Sequence, residues 1–297
     1  MVHNHIIQVI PETVLQAQNA FISVIKSRRR SRSTIHNYEY CLTVLRKNIN
    51  TKIMLEITSD DLREFFTSLQ DDHSIGGVEV FYRAIRAFWK WYWDEYDIER
   101  RNPISRVKVA HQPAIPRAGI PLEDFQLLFD SCKSVRDKAI LYALLDTCAR
   151  ATEFCSMRVK DIDLTTGQIT IRNGKGNKER IVRLGNRSMR MMRKYLKSRG
   201  MLRENDPLFA SRTDEFLDRF SLRLLIDRRA DDVGIKHYGI HDFRRRGAYE
   251  MWKVTRDLKG VSLYLGHSDV SVTRRYINVE DDDIMETHIT GGPVDNL

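Results

Sequence analysis

The sequence has no uninterrupted apolar run near the ~20 residues that a membrane-spanning helix needs, so no spanning helix is expected. Its 4 cysteines, Cys41, Cys132, Cys148 and Cys155, are scattered, with no CxxC pair and no cluster with neighbouring histidines. Neither a disulfide framework nor a structural zinc site is signalled, and buried thiols are expected. The opening residues, MVHNHIIQVIPE, lack the charged-then-apolar order of a signal peptide, so a cytoplasmic location is expected. Internal repeats and low-complexity tracts are missing as well, which argues against a solenoid or a disordered chain. Aspartate and glutamate are plentiful, but no carboxylate cluster stands out that would hold catalytic metal ions.

What is present is an excess of positive charge. Against 40 acidic residues stand 49 Lys and Arg, a formal net charge of +9 and a pI of about 9.4. This favours a polyanionic partner, nucleic acid rather than membrane. A hydrophobic content of 42% with 9% aromatics is enough for packed cores. At 297 residues the chain is long for one domain, and two are expected.

Up to about residue 108 the periodicity is helical throughout. Val14, Ala17, Phe21, Val24 and Ile25 recur on one face; Ile35, Tyr38, Leu42 and Leu45 form a second set, and Leu62, Phe65, Phe66 and Leu69 a third. Ser33 and Ser59 are the expected N-caps of the latter two helices. A fourth helix is expected to begin after Gly76-Gly77, with Val78, Phe81, Ile85, Phe88, Trp89 and Tyr92 toward the core. Its opposite face carries Arg83, Arg86 and Lys90 in line. Together with the run Arg28, Arg29, Arg30 and Arg32 just before the second helix, these are the candidate DNA-binding residues of the first half.

Residues 109–120 read as an extended, proline-rich linker. Beyond it the pattern is mixed: helices near 121–131 and 134–147, a hairpin over 168–184 signalled by QITIR, the turn NGKGN and ERIVRL, then helices to the end. The chain is thus mostly α, with an α+β second half over 121–297.

The chemistry is concentrated there. Arg150 follows an apolar helix and precedes a short one containing Glu153. Lys175 sits in a glycine-flanked turn, where a lysine can protonate a leaving oxygen, with Lys178 as a rival in the same hairpin. His241 and Arg244, three residues apart, fall on one helical face and can address one phosphate. His267 and Tyr276 come last, in LGHSDVSVTRRY. Two guanidiniums that fork onto phosphate oxygens, groups that move protons and a tyrosine that attacks phosphorus leave no role for a metal or cofactor.

These strings resemble the tyrosine recombinase/integrase family. LLDTCARATEF is similar to its first arginine box, GKGNKERIVRL to the hairpin that delivers its catalytic lysine, His241-Asp242-Phe243-Arg244 to its H-x-L-R box, and the LGHS-to-tyrosine segment to its nucleophile region. The layout is nearest to Xer-type recombinases. Cys148-Ala149 stands where relatives have Gly-Leu, and Arg245-Arg246 where many have His-Thr or His-Ser.

The resemblance implies a helical core-binding domain over 1–108, a linker over 109–120, and a catalytic domain over 121–297. Within the last, an acidic tail at 279–297 docks on a neighbouring subunit. It implies Tyr276 as nucleophile forming a 3′-phosphotyrosyl link, Arg150 and Arg244 as phosphate clamps, and Lys175 as proton donor to the 5′-hydroxyl. His241 is then the base, His267 a phosphate donor, and Glu153 a supporting residue. The implied partner is double-stranded DNA, held by a homotetramer on two sites, with an accessory protein as a further partner. Alternatives are a DNA-binding protein that no longer cleaves, which the intact residue set disfavours, and a type IB topoisomerase-like enzyme that relaxes supercoils.

Overall fold

A computed structural model describes residues 10–111, 119–172, 179–274 and 276. Lys175 and Lys178, most of the 109–120 linker and the acidic tail lie outside the described residues. The chain divides into two compact units, Met1–Pro113 and Ala114–Leu297.

The first unit is helical among its described residues: α1 (Val14–Ser27), α2 (Arg32–Asn48), α3 (Ser59–Asp72) and α4 (Ile75–Glu95), followed by a 3-10 turn at Pro103–Arg106. Its core is aromatic. Phe88, Trp89 and Tyr92 of α4 are fully buried, and Phe21 of α1 meets Phe88 edge-on with ring centroids 5.5 Å apart.

The faces of these helices match the sequence pattern, but their starts differ from the expected ones. Ser31 rather than Ser33 caps α2, accepting from the Thr34 amide. Thr58 rather than Ser59 caps α3, because only Thr58 makes a reciprocal box with Asp61: each side chain accepts the other residue's backbone N–H. Helix α4 starts before the Gly76-Gly77 pair, with Ser74 accepting from the Gly77 amide. In a first turn the N–H groups have no intrahelical partner, so an available hydroxyl three residues back decides the start.

The second unit opens with α5 (Leu122–Ser131) and α6 (Val135–Thr147), then α7 (Ala151–Cys155) and a hairpin of β1 (Gln168–Ile171) and β2 (Arg180–Arg183). Helices α8 (Asn186–Ser198), α9 (Arg219–Val233), α10 (Ile240–Thr255), α11 (Leu258–Leu265) and α12 (Val270–Arg274) follow. The strands are antiparallel, with Gln168 opposite Arg183 and Ile171 opposite Arg180. Alternation sends Ile169, Ile171 and Val182 into the core.

Helix α6 is the hub of this unit. Ala139, Ile140, Leu141, Ala143 and Leu144 are all buried, and α6 packs against α8, α10 and β2. Where α6 ends, Cys148 takes a left-handed conformation at φ 48° and turns the chain toward Arg150. Helix α10 passes this corner at Gly247, where an added Cβ would lie 2.3 Å from the Leu145 carbonyl oxygen and 2.4 Å from Cys148 Sγ. The close approach of α10 to the end of α6 therefore depends on glycine at 247.

Candidate active site

The corner after α6 presents Arg150 with a quarter of its side chain exposed, held by the carboxylate three residues on. Glu153 accepts from the Arg150 amide at 2.8 Å and from Arg150 Nη1 at 2.8 Å. Arg180 of β2 grips the same carboxylate, with Nη2 to Oε2 at 2.7 Å and Nη1 to Oε1 at 3.2 Å, while its Nε donates to the Tyr264 carbonyl at 3.0 Å. Glu153 is almost fully buried. Burial alone would raise its pKa, but the hydrogen bonds from Arg180 and Arg150 prevail and hold it at about 2.

Arg244 reaches the same region from α10. Only 1% exposed, it is among the largest fully buried side chains of the molecule. Its Nη1 donates to the Cys148 carbonyl and its Nη2 to the Leu265 carbonyl at 2.7 Å and to His267 Nε2 at 2.9 Å. Nε is buried and makes no hydrogen bond among the described residues. His241, one turn earlier on the same face, is exposed. Three-residue spacing thus leaves one group at the surface and buries the other, because the helix face is cut by the edge of the packed corner.

Gly266 ends α11 in the left-handed region at φ 69°, a conformation that suits glycine, and turns His267 back into the site. His267 Nδ1 lies 2.7 Å from Thr273 Oγ1, so both ring nitrogens are engaged within the protein. Tyr276 follows α12, its amide donating to the Thr273 carbonyl at 2.8 Å. Its ring meets that of His267 edge-on at 5.4 Å, lies 5.8 Å from the Arg245 guanidinium, and packs beside the cluster of Cys148, Ala248, Trp252, Val261 and Leu265.

The field of this corner is strongly positive. Burial, then Arg244, Arg150 and Arg180, lower His267 to about 4. Partial desolvation where its ring meets the corner, then Arg244, Arg245 and Arg150, lower His241 below its usual value, although much of its surface is exposed. Both shifts favour the neutral imidazole.

Of the expected residues, Arg150, Glu153, Arg244, His267 and Tyr276 meet at this corner, and Arg150 reaches His241 electrostatically. Sequence reading missed Arg180, Thr273 and the placement of Arg245. Arg180 lies five residues after Lys175 in the hairpin string, and inward-facing charge at a strand end was the available signal. The second extra arginine, Arg246, is structural: it pairs with Glu250 at 2.9 Å and donates to the Ile120 carbonyl at 2.6 Å. Among the described residues there is no group of histidine, cysteine and carboxylate side chains able to hold a metal ion, and no helix long and apolar enough to cross a membrane.

In the first unit, Arg28, Arg29, Arg30 and Arg32 are exposed at the junction of α1 and α2, and Arg83, Arg86 and Lys90 along α4. Ser33, Thr34 and Asn37 of α2 and Arg83 of α4 line one open groove of about 360 Å3. That groove runs between α2, beginning just past Arg32, and Arg83 of α4.

A helical two-unit fold whose second unit sets arginines, a histidine and a tyrosine around one corner brings together groups suited to holding a phosphodiester. The chain belongs to the phage integrase family, the tyrosine recombinases. The family's model, "Phage integrase family", matches residues 121–283, more than half of the chain, and "Phage integrase, N-terminal SAM-like domain" matches 18–98.

Relatives include the tyrosine recombinase XerC of Pelobacter propionicus, 34% identical over 54% of this chain and 53% of that protein. The tyrosine recombinase XerA of Saccharolobus solfataricus is 29% identical over 91% of each chain. Among solved structures, a XerA recombinase is 22% identical, covers 94% of this chain and 99% of that one, and has a TM-score of 0.54. A lambda integrase tetramer bound to a Holliday junction is 15% identical, covers 90% of this chain and 77% of that one, and has a TM-score of 0.76. The family resemblance drawn from the motif strings and the mostly helical fold class both hold.

Proposed function

We propose that the protein is a site-specific recombinase that cleaves and rejoins double-stranded DNA through a 3′-phosphotyrosyl intermediate. The observation that carries this reading is the meeting of the buried Arg244, His267 and the Tyr276 ring at the corner that also presents Arg150. In the proposed reaction the Tyr276 oxygen attacks phosphorus and the bond to the 5′-oxygen breaks. The tyrosine proton passes to His241, which is exposed and whose lowered pKa favours the neutral, proton-accepting form. Lys175 protonates the departing 5′-oxygen. Arg150 and Arg244 spread the charge that develops on the phosphoryl oxygens. Arg150 is partly exposed and so has donors to offer. Glu153 holds Arg150 in place.

A 5′-hydroxyl from a second duplex reverses the step, and the bond energy is conserved in the tyrosine ester, so the reaction requires neither ATP nor a resident metal. We assign residues 1–108 to the DNA clamp, with Arg28, Arg29, Arg30, Arg32, Arg83, Arg86 and Lys90 on phosphates, joined by the linker at 109–120 to the catalytic domain. Strand exchange calls for a tetramer on two sites, the state named for the lambda integrase of similar fold. It is further proposed to act in the cytoplasm, with an accessory protein as an activator.

The test is trapping on a nicked suicide duplex resolved on a denaturing gel. Wild type forms a covalent adduct and Tyr276→Phe does not; an adduct that persists in Tyr276→Phe refutes the assignment.

A further inference from the structure

Thr273 belongs to no part of the chemistry described so far, yet it is completely buried between two residues that do. Its hydroxyl faces His267 Nδ1 at 2.7 Å. Its carbonyl accepts from the Tyr276 amide at 2.8 Å. On the far side of the imidazole, Nε2 faces Arg244 Nη2 at 2.9 Å. A guanidinium nitrogen has only protons to give, so Nε2 must accept, and a neutral ring must then carry its proton on Nδ1. Thr273 Oγ1 receives that proton. The opposite tautomer would set an N–H against the guanidinium and leave Nδ1 as an acceptor.

We propose that Thr273 is a positioning residue for cleavage: its hydroxyl locks His267 in the Nδ1–H tautomer, so that Nε2 holds the Arg244 guanidinium, while its carbonyl fixes the turn that carries Tyr276. One threonine thereby couples the aim of an arginine clamp to the placement of the nucleophile. The hydroxyl can serve as acceptor because it is a single buried group with lone pairs to spare, and helix α12 gives it no competing side-chain partner in the described residues. The logic is that of any histidine whose second nitrogen is oriented by a neighbour: the orienting group sets which nitrogen faces the chemistry. The proposal rests on the recombinase reading for its consequence in catalysis, but its tautomer claim does not.

The experiment uses the full chain labelled with ¹⁵N-histidine, and compares wild type with Thr273→Val and Thr273→Ser. In wild type the His267 resonances, assigned by their loss in His267→Gln, report Nδ1 protonated and Nε2 bare. Thr273→Val keeps shape and burial but removes the acceptor. It is expected to shift His267 toward the Nε2–H form and to slow single-turnover cleavage of the suicide duplex by roughly 10- to 100-fold, as loss of an orienting partner does elsewhere, with DNA affinity unchanged. Thr273→Ser is expected to restore both the tautomer and the rate.

An Nε2–H tautomer in wild type overturns the proposal without any variant having to fold. So does Thr273→Val with wild-type cleavage, or slowed cleavage with the tautomer unaltered, which would trace the loss to packing of α12. An adduct that survives Tyr276→Phe would instead sink the recombinase reading and leave the tautomer result standing.

Discussion

Glu153 shows how a single buried side chain can hold two guanidiniums in place. It is buried, and two guanidiniums share its carboxylate. Its pKa in the fold, about 2, lies below the ordinary value of 4.5. A depressed carboxylate contributes stability that is fully present above 4.5 and is lost as pH falls toward 2, at most about 3 kcal/mol for a shift of this size. Glu153→Gln is therefore expected to destabilise the protein by roughly 3 kcal/mol at pH 7, because it leaves two cations facing a neutral amide. Urea unfolding should show the gap from wild type closing as pH approaches 2; a gap independent of pH would assign the loss to packing. The motif strings, through the family resemblance they carry, picked out Arg150, Arg244, His267 and Tyr276. They did not reveal that Arg244 is buried while His241 is exposed, since helical spacing gives a direction from the axis but not what stands in that direction.

At the scale of elements, the site exists because α6 and α11 end, β2 begins and α10 passes at one corner. Arg180 ties β2 to α7 through Glu153 and to α11 through the Tyr264 carbonyl. Arg180→Ala should cost roughly 3 kcal/mol by breaking a buried ion pair, and should speed amide hydrogen exchange in β1 and β2 ahead of the rest of the unit; uniform exchange across the unit would argue against a local tie. The approach of α10 to α6 has its own check. A methyl at position 247 would collide with backbone at 2.3 Å, so Gly247→Ala is expected to lower stability by about 2 kcal/mol or more, read as a fall in the thermal midpoint. The helices themselves were legible because their apolar faces repeat with helical period. Their starts were not: Ser31, Thr58 and Ser74 cap where Ser33, Ser59 and Gly76-Gly77 were the expected signals. Several hydroxyls compete within each short run, and hydrogen-bond geometry selects among them.

At the scale of the whole molecule, charge is segregated by purpose. Arginines of the second unit are mostly engaged: Arg180 and Arg150 by Glu153, Arg246 by Glu250, Arg245 by Asp242 at 2.9 Å. Those of the first unit's basic face are different. Among the described residues no ion pair involves Arg83, Arg86 or Lys90, all of them exposed. Uncommitted cations suit phosphate binding, where each contact releases counterions. The triple variant Arg83→Ala, Arg86→Ala, Lys90→Ala in the full chain should weaken DNA binding across sequences and reduce the slope of log K against log salt by about 0.9 per lost phosphate contact. A salt slope equal to that of wild type would remove α4 from the DNA interface.

The amino-acid sequence by itself determined the helical periodicity, the basic character, the proline-rich change of composition between the two halves, and the order of the motif strings that mark the family. All of these are local or additive properties, written in neighbouring residues or in sums over them. Only the tertiary structure decided which groups share a partner: that Arg180, nearly thirty residues away, completes the Glu153 pair, that His267 accepts from Arg244, and that Thr273 stands behind both. Such relations depend on where packed helices end relative to one another, and no period in the chain encodes that distance.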